Sequence, residues 1–268
     1  MKTSINKLFV SKLKSGGQGL LYFLIGMALM GGIWQLISWY TKNEIPSPQV
    51  TWKVFKEVIQ NPMQNDPDYK GIVVKLLSSL KRVAIGFGFG SLLAIPIGMM
   101  MGSNKIIMNI INPMVQILRP VSPLAWFPLG LAIFQDSPKA SIFMIFICSL
   151  WPTLINTAFG VSSIPQDHKN VGKAFGFSQW KYITKILVPY TFPHILTGLR
   201  LSIGVAWMVI VAGEMLSGGM GLGYFVWEEG FNGGSVAKIL VAIIIIGVVG
   251  LFLDRIFMTL QKKFSYAI

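Results

Sequence analysis

The sequence predicts an all-α integral membrane protein with six transmembrane helices. Of its 268 residues, 53% are hydrophobic and only 12% are charged, and the mean hydropathy is +0.62. An average soluble domain carries about 25% charged residues, so this chain has too few to cover a water-facing surface. The formal net charge of +13 comes from short basic segments between long uncharged runs. Composition therefore argues against a soluble enzyme and a disordered chain, and the charge pattern argues against a nucleic-acid-binding protein.

Six uncharged or nearly uncharged runs are long enough to cross a bilayer as helices. About 20 apolar residues, at about 1.5 Å each, span the hydrocarbon core. The first run follows a basic leader, but it is too long for a signal peptide and lacks an A-x-A cleavage site, so we predict an uncleaved helix. In the second run, the G-x3-G pairs 86/90 and 98/102 predict close helix contacts. The predicted spans cover residues 20–40, 83–104, 106–134, 140–162, 192–216 and 236–254.

The distribution of lysine and arginine predicts that both termini are cytoplasmic. Twelve of these residues lie in the N-terminal leader, the 103–105 turn, the 165–189 loop and the C-terminal tail. The opposite loops hold six, which are offset by seven acidic residues. Cytoplasmic loops are enriched in basic residues, so the first group is assigned to the cytoplasm. The residues that precede the second span and are assigned to neither side are Lys75, Lys81 and Arg82.

The segment between the first two spans predicts a short amphipathic helix outside the cytoplasm. Apolar residues recur at helical spacing over 50–60, and Asn61-Pro62 and Asp66-Pro67 then break the chain. The chain thus divides into three parts. They are residues 1–70, with the leader, the first span and this outer segment; residues 71–258, with the other five spans; and the cytoplasmic tail, residues 259–268.

The 165–189 loop is too polar to cross the membrane and carries two helical patterns. Val171, Ala174 and Phe175 recur at helical spacing before Gly176, which can end a helix in the left-handed conformation. The second pattern, which ends at Pro189, consists of Trp180, Ile183 and Leu187. Two short amphipathic helices joined by a glycine can lie on a lipid surface or dock in a groove of a cytoplasmic partner. The residues alone favour neither alternative.

The same loop resembles the EAA loop in the membrane subunits of bacterial ATP-binding-cassette (ABC) importers. The family pattern is E-A-A-x3-G-x9-I-x-L-P, and here Gly176 is followed after nine residues by Ile186, Leu187, Val188 and Pro189. This chain departs from the pattern because Asn170-Val171-Gly172 stand where Glu-Ala-Ala would be, and Val188 replaces leucine. In the family, this loop docks on the ATPase subunit. The resemblance implies an ATPase-coupling role for Asn170, Val171, Gly172, Ala174, Phe175, Gly176, Ile186 and Pro189.

Further motifs resemble one branch of this family, whose substrates are nitrate, bicarbonate, cyanate, taurine and sulfonates. The resemblance covers about residues 71–258, and its motifs follow one another in the family's order. Residues 118–130 resemble the signature of the third span in this branch. The segments that are most similar to nitrate and bicarbonate permeases are 149–157, 198–201, 213–216 and 253–255.

The resemblance implies a type I ABC importer permease fold in the bacterial inner membrane, with residues 71–258 as its transmembrane domain. It implies three partners: cytoplasmic ABC ATPase subunits, a second permease copy in a homodimer, and an extracytoplasmic solute-binding protein. The ATPase subunits would use ATP and Mg²⁺, and this chain would bind no cofactor. The implied substrate is a small anion, nitrate or nitrite first, with bicarbonate, cyanate, and taurine or an alkanesulfonate as alternatives.

The sequence carries no pattern for an ATP site, a metal site or a catalytic centre. It lacks the G-x-x-x-x-G-K-[ST] motif, and no cluster of cysteine or carboxylate residues accompanies His168 and His194. The single cysteine, Cys148, allows no internal disulfide. We therefore expect a transport subunit without enzymatic chemistry of its own.

Polar residues within the spans are candidates for an anion pathway. Arg119 lies among prolines that interrupt the third span, and broken helices are tolerated where they line a cavity. Such residues can instead serve helix packing, and an arginine near a helix end can extend to the membrane surface. The candidate pathway residues are Arg119, Ser122, Thr153, Asn156, Thr157 and Arg200.

Two other classes of protein remain possible from the residues. An ion-coupled secondary carrier would work without an ATPase and would depend on a membrane charge such as Glu214. A membrane scaffold without transport would have a 165–189 loop that binds no ATPase. The amphipathic loop with its glycine joint favours the importer over both.

Overall fold

A computed structural model describes the backbone of residues 2–64 and 70–265 and the side chains of residues 21–64 and 70–264. Helices form the regular structure of these residues, which confirms the predicted all-α class. A π-helical turn, Ile183–Leu187, joins α8 to α9 without a break. The helices are α1 (Lys2–Tyr40), α2 (Pro48–Gln60), α3 (Ile72–Ser103), α4 (Lys105–Leu118), α5 (Pro123–Phe134), α6 (Ser137–Ser162), α7 (Gln166–Ala174), α8 (Gln179–Tyr182), α9 (Val188–Ser217), α10 (Leu222–Phe231) and α11 (Val236–Ser265).

Five helical segments are long and apolar enough to cross a membrane: 21–40 of α1, α3, α6, the continuous α8–α9, and 236–264 of α11. The pair of α4 and α5 meets the same criteria but is bent by 100°. The third span, predicted over 106–134 with a proline interruption, thus consists of two helices that meet at a sharp bend. Pro123 causes the break, because a proline restricts the preceding residue to extended conformations. Ser122 accordingly has φ −55° and ψ 133°.

α3 and α6 lie side by side and run in the same direction. Gly86 of α3 contacts Ile145 of α6, and Gly102, further along α3, contacts Val161, further along α6. A β-carbon added to either glycine would come within 2.8 Å of its neighbour, so the predicted glycine contacts are confirmed. Because two parallel neighbours need a return connection, the bent α4–α5 pair must carry the chain back across. The described residues thus contain six crossings.

α9 lies at the centre of the bundle and runs antiparallel to α6 and α11. Gly198 and Gly213 let α9 approach α6, at Thr153 and Met144 respectively. Trp207 of α9 donates from its indole nitrogen to a carbonyl of α11 at 2.9 Å. The hydrophobic core surrounds these contacts and includes Met144, Ile145, Ile203, Ala206, Ile210, Leu222 and Val241.

α1 and α2 lie at the edge of the bundle. Only 6% of the most apolar part of α1 is buried, so most of its apolar surface is exposed to the surroundings of the chain. The Trp34 indole of α1 donates to the Pro46 carbonyl at 3.0 Å, which positions the start of α2 beside the last turns of α1. α2 also packs on α11.

The loops separate into two ends of the bundle, the α7 end and the α10 end. The α7 end contains the 103–105 turn, α7, α8 and the last turns of α11, where Phe264 and Phe192 have ring centroids 5.1 Å apart. The α10 end contains α2, the start of α3 and the connection from α9 through α10 to α11. This is the grouping of loops that the lysine and arginine distribution predicted.

Candidate functional site

The connection between α6 and α9 folds into two short helices with a tight turn between them, as predicted; we call it the hairpin. α8 begins after Ser178, whose hydroxyl accepts a hydrogen bond from the Lys181 N–H at 3.4 Å. Gly176 has φ +58°, a left-handed conformation that costs most other residues about 1–2 kcal/mol. The Phe177 N–H donates to the Gly172 carbonyl at 2.9 Å and closes the turn.

One side of the hairpin packs on the bundle. Gly172 is buried, and a β-carbon added there would lie 3.1 Å from the Tyr182 ring and 3.3 Å from Ile186. Ile164 and Leu187 are buried beside Val161 at the end of α6. A cavity of about 510 Å³ lies between this side and the end of α3, and its lining includes Gly102, Asn104, Lys169, Gln179 and Tyr182. The hairpin is thus attached to α6 and α9 but not tightly packed against α3.

The other side of the hairpin exposes large apolar side chains. Phe175 and Trp180 are each 74% exposed, and Val171 is 46% exposed. The Lys181 ammonium lies 4.4 Å above the Phe177 ring. Exposed aromatic residues with polar surroundings are typical of a protein docking surface. The lysines of the hairpin are Lys169, Lys173, Lys181 and Lys185.

The predicted coupling residues divide between these two sides. Gly172 is buried where α7 packs on Tyr182 and Ile186, so it holds the two halves of the hairpin together. Ile186 is partly buried beside Val161 and Leu187, so it serves the attachment to the bundle. The exposed members are Asn170, Val171, Ala174, Phe175, Gly176 and Pro189.

Trp180 is an exposed residue that sequence reasoning placed on the wrong face. Helical spacing predicted that Trp180 shares one face with Leu187, yet Leu187 is buried and Trp180 is not. The π-helical turn at Ile183–Leu187 explains the difference, because its wider spacing shifts the phase of the residues around the helix. The sequence signal that could have indicated the exposure of Trp180 is its position in the first helical turn after the Ser178 cap.

Three of the predicted pathway residues lie together between α6 and α9. Thr153 and Thr157 are fully buried; the Thr153 hydroxyl lies 2.8 Å from that of Ser202, and Thr157 donates to the Thr153 carbonyl at 2.7 Å. Asn156 donates to the Pro152 carbonyl at 2.8 Å. The Thr153–Ser202 contact joins the two helices directly, and the other two bonds satisfy polar side chains within α6.

The remaining pathway candidates lie elsewhere. Arg200 of α9 makes a two-bond ion pair with Asp254 of α11, with N···O distances of 2.7 and 2.9 Å. Arg119 and Ser122 lie at the bend between α4 and α5, and both are exposed. The structure therefore brings the α6 residues together, pairs Arg200 with a carboxylate, and leaves Arg119 and Ser122 on an open surface.

A buried polar cluster surrounds Glu214 at the α10 end. The carboxylate is fully buried and accepts hydrogen bonds from Arg82 at 2.8 Å, from the Ser79 hydroxyl at 2.8 Å and from the Gly223 N–H at 3.0 Å. Arg82 also donates to the Met220 carbonyl at 2.6 Å. These contacts fix the end of α9 and the glycine-rich 218–223 loop to α3.

Further charged groups hold α10 in place. Lys238 of α11 donates to Glu229 at 2.9 Å. Lys75 of α3 lies 4.1 Å above the Phe225 ring and 3.9 Å from the Glu228 carboxylate. Sequence reasoning considered Glu214 alone and assigned Lys75 to neither side. The signal that could have found the cluster is that a carboxylate within a membrane helix usually has a cationic partner.

One family profile matches residues 94–266, more than half of the chain. The family is described as the inner membrane component of binding-protein-dependent transport systems. The chain belongs to this family. The permease is therefore a multi-pass transport subunit of the inner membrane. Within residues 21–64 and 70–264, no group of three or more His, Cys, Asp and Glu residues is placed to hold a metal ion.

Two relatives of the permease are similar along most of their length. The nitrate import permease protein NrtB of Synechocystis sp. is 38% identical over 239 residues, which cover 89% of this chain and 86% of the relative. The bicarbonate transport system permease protein CmpB of Synechococcus elongatus is 39% identical over 248 residues, which cover 91% of this chain and 86% of the relative.

Two solved structures share the fold of the permease. An inward-facing structure of the MetNI methionine ABC transporter has a TM-score of 0.62 at 14% identity, covering 72% of this chain and 95% of the matched chain. An amino acid ABC transporter has a TM-score of 0.55 at 17% identity, covering 73% and 93%. These likenesses confirm the predicted type I ABC importer permease fold.

Proposed function

We propose that the permease is the membrane subunit of an ATP-driven importer for nitrate or nitrite. The observation that carries this proposal is the 38% identity to a nitrate import permease over 89% of the chain. Bicarbonate is the alternative substrate, because the identity to a bicarbonate permease is as high, at 39% over 91% of the chain, and uptake measurements distinguish the two. Both candidates are small, singly charged oxyanions.

The α7 end is assigned to the cytoplasm, where an ABC ATPase docks on the hairpin. The basic loops at this end support the assignment, since cytoplasmic loops are enriched in lysine and arginine. Exposed aromatic side chains such as Phe175 and Trp180 contribute strongly to binding when a partner buries them. In this arrangement the ATPase binds ATP and Mg²⁺, and the permease binds neither. The exposed coupling residues contact the ATPase, Gly172 holds the two halves of the hairpin together, and Ile186 attaches the hairpin to the bundle.

α9 connects the hairpin mechanically to the opposite end of the bundle. The segment Gln179–Ser217 is one continuous helical stretch of 39 residues, equivalent to about 58 Å at about 1.5 Å per residue. A displacement of the hairpin is therefore transmitted along α9 to the Glu214 cluster. When ATP closes the ATPase dimer, the hairpins move with it and favour one of two arrangements of the spans. The solute-binding protein delivers the anion at the α10 end.

The anion path is proposed to pass the bend between α4 and α5 in a dimer of two permease copies. Arg119 and Ser122 are exposed at this bend, and a guanidinium can donate two parallel hydrogen bonds to a planar oxyanion. Thr153, Asn156 and Thr157 act indirectly, through the shape and packing of α6. Arg200 acts indirectly as well, since Asp254 engages its guanidinium.

Uptake by purified components tests this proposal. The permease is reconstituted in liposomes with the ATPase and binding protein encoded beside it, and entry of isotopically labelled nitrate and bicarbonate is measured with and without internal ATP. We expect nitrate entry that needs both ATP and the binding protein. Entry of bicarbonate but not of nitrate would identify bicarbonate as the substrate. Nitrate entry through the permease without any ATPase would show that the protein is a secondary carrier and not an importer subunit.

A further inference from the structure

The apolar arc of α2 is wider than the surface that the bundle covers. At about 100° per residue, the apolar positions of α2 extend over about 200° of its circumference. Thr51 and Val58, near the middle of this arc, are buried against the core. Trp52 and Ile59, at one edge of the arc, remain 58% and 42% exposed. The positions on the arc are Val50, Thr51, Trp52, Val54, Phe55, Val58 and Ile59.

The exposed edge of α2 lies at the level where the first span ends. Trp34 of α1 donates to the Pro46 carbonyl, two residues before α2 begins. Trp39 and Tyr40, in the last turn of α1, are 78% and 90% exposed. Tryptophan and tyrosine concentrate at the boundary between hydrocarbon and lipid headgroups, so these residues mark that boundary. α2 contacts both α1 and α11, and apolar side chains are exposed on residues 21–40 of α1 and on residues 236–264 of α11.

The polar face of α2 follows directly on the Trp52 edge. Lys56 lies next around the helix, with its ammonium 5.7 Å from the centre of the Trp52 ring, and Lys53 lies further round. The other polar positions of this face are Gln49, Glu57 and Gln60. An apolar flank bordered by lysine is the pattern of a helix that lies in the membrane interface, because the lysine can reach lipid phosphate while the flank enters the acyl region.

We propose that α2 is an interfacial helix bound to the lipid leaflet at the α10 end. Half of its apolar arc packs on the bundle, and the Trp52–Ile59 flank inserts among the lipid chains just below the headgroups. Lys56 and Lys53 contact lipid phosphates. This assignment follows from the contacts of α2 with both α1 and α11, which are long and apolar enough to cross the membrane and expose apolar side chains. It does not depend on the substrate or on the ATPase.

Spin labels placed around α2 test the proposal. Cys148→Ala removes the single cysteine, which is buried, and Trp52→Cys then gives one labelling site. The full chain is reconstituted in liposomes without any partner protein. Collision of the label with oxygen, which concentrates in lipid, is compared with collision with a water-soluble nickel complex. Lys53→Cys is the matched control, about 100° away on the polar face.

We expect the label at 52 to collide preferentially with oxygen, at a depth just below the phosphates, and the label at 53 to collide preferentially with nickel. If the Trp52→Cys variant does not fold, the same comparison is made with Ile59→Cys and its control Gln60→Cys. Equal nickel access at 52 and 53 would show that the flank faces water, as a docking site for a soluble protein would. Protection of the label at 52 from both reagents would show that a second permease copy covers it. Either result would overturn the proposal.

Discussion

The two ends of the permease differ in the exposure of their functional side chains: a charged cluster is buried at one end, and aromatic side chains are exposed at the other. At the α10 end, Glu214 is fully buried and accepts hydrogen bonds from a cation, a hydroxyl and a backbone amide. At the α7 end, Phe175 and Trp180 are 74% exposed and stand among lysines. The hydrogen bonds and the ion pair of Glu214 are all made within the same chain. The exposed aromatic side chains of the hairpin present apolar surface that a partner can bury.

This difference separates residues that maintain the fold from residues that, in the proposed function, bind the ATPase. A buried ion pair is costly to break, because removal of one partner leaves the other charge without compensation. An exposed aromatic residue can be removed at little cost to the fold but at high cost to an interface. Substitutions at the two ends should therefore change different measured quantities.

The largest effect on stability is expected for Glu214→Ala. Arg82, whose side chain is only 12% exposed, would be left without its anion, and the free energy of unfolding should fall by about 3–5 kcal/mol. Thermal unfolding of the purified permease in detergent measures the loss. The double variant Glu214→Ala, Arg82→Ala should lose less than the sum of the two single variants, because the two side chains act on one another.

Lys238→Ala provides the control at the same end. The Lys238 side chain is 43% exposed, and Glu229, although only 12% exposed, keeps its hydrogen bond from the Ser235 N–H at 2.9 Å, so the loss of this ion pair should cost about 1 kcal/mol. If Glu214→Ala were no more destabilising than Lys238→Ala, the buried cluster would not be what holds α10 to the bundle.

The largest effect on partner binding is expected for the double variant Phe175→Ala, Trp180→Ala. Aromatic residues at the centre of interfaces commonly contribute about 2 kcal/mol each, so the loss of both should lower the affinity for the ATPase by about 1,000-fold. The unfolding temperature should stay unchanged, because both side chains are exposed. Titration of the solubilised permease with its ATPase measures the affinity.

Phe231→Ala is a suitable control for that double variant. Phe231 is also exposed, at 73%, but it lies at the opposite end of the bundle, and its loss should leave ATPase binding intact. Full ATPase affinity in the double hairpin variant would assign Phe175 and Trp180 to the lipid surface, which was the other interpretation of the loop sequence.

Features that depend on spacing along one helix could be predicted from the sequence. The six crossings and the glycine contacts of α3 followed from hydropathy and from G-x3-G spacing, and the glycine joint of the hairpin followed from Gly176. Pairs that join distant segments could not be found in the same way. Arg82 and Glu214 are 132 positions apart, and their contact depends on how α3 and α9 pack. The face of Trp180 was missed because periodicity assumes a regular helix, and a π-helical turn interrupts that regularity.

A smaller effect, on transport alone, is expected at the bend between α4 and α5. Arg119→Ala should lower nitrate flux by about 10- to 150-fold, since it removes charge-assisted hydrogen bonds worth about 1.5–3 kcal/mol, while the unfolding temperature stays the same. Arg119→Lys should recover part of the flux, because it restores the charge but not the planar pair of donors. Liposome uptake over a range of nitrate concentrations measures both. Normal flux in Arg119→Ala would assign this residue to the protein surface.

The smallest effect is expected for Gly172→Ala, where two opposing contributions nearly cancel. Alanine favours a helix over glycine by about 1 kcal/mol. The new methyl group would also lie 3.1 Å from Tyr182 and 3.3 Å from Ile186, which is tighter than most contacts of this kind, so these side chains must shift by a few tenths of an ångström. Tyr182 is only partly buried and borders the cavity under the hairpin, so its ring has room to shift. We therefore expect thermal unfolding to change by less than the equivalent of about 1 kcal/mol, and ATPase binding to be retained.

The same substitution can be made in a Tyr182→Ala background, which removes the closer of the two crowded contacts. The remaining contact, at 3.3 Å, is with the flexible end of the Ile186 side chain, so the gain in helix propensity should dominate. There Gly172→Ala should stabilise the permease by up to about 1 kcal/mol, as Gly204→Ala should on α9, where an added β-carbon meets no atom within 4 Å. A loss of several kcal/mol from Gly172→Ala in the native background would mean that the hairpin is held as rigidly as α10. The hairpin would then be no easier to displace from the bundle than α10 is. It could not serve as the moving element of the proposed transport cycle.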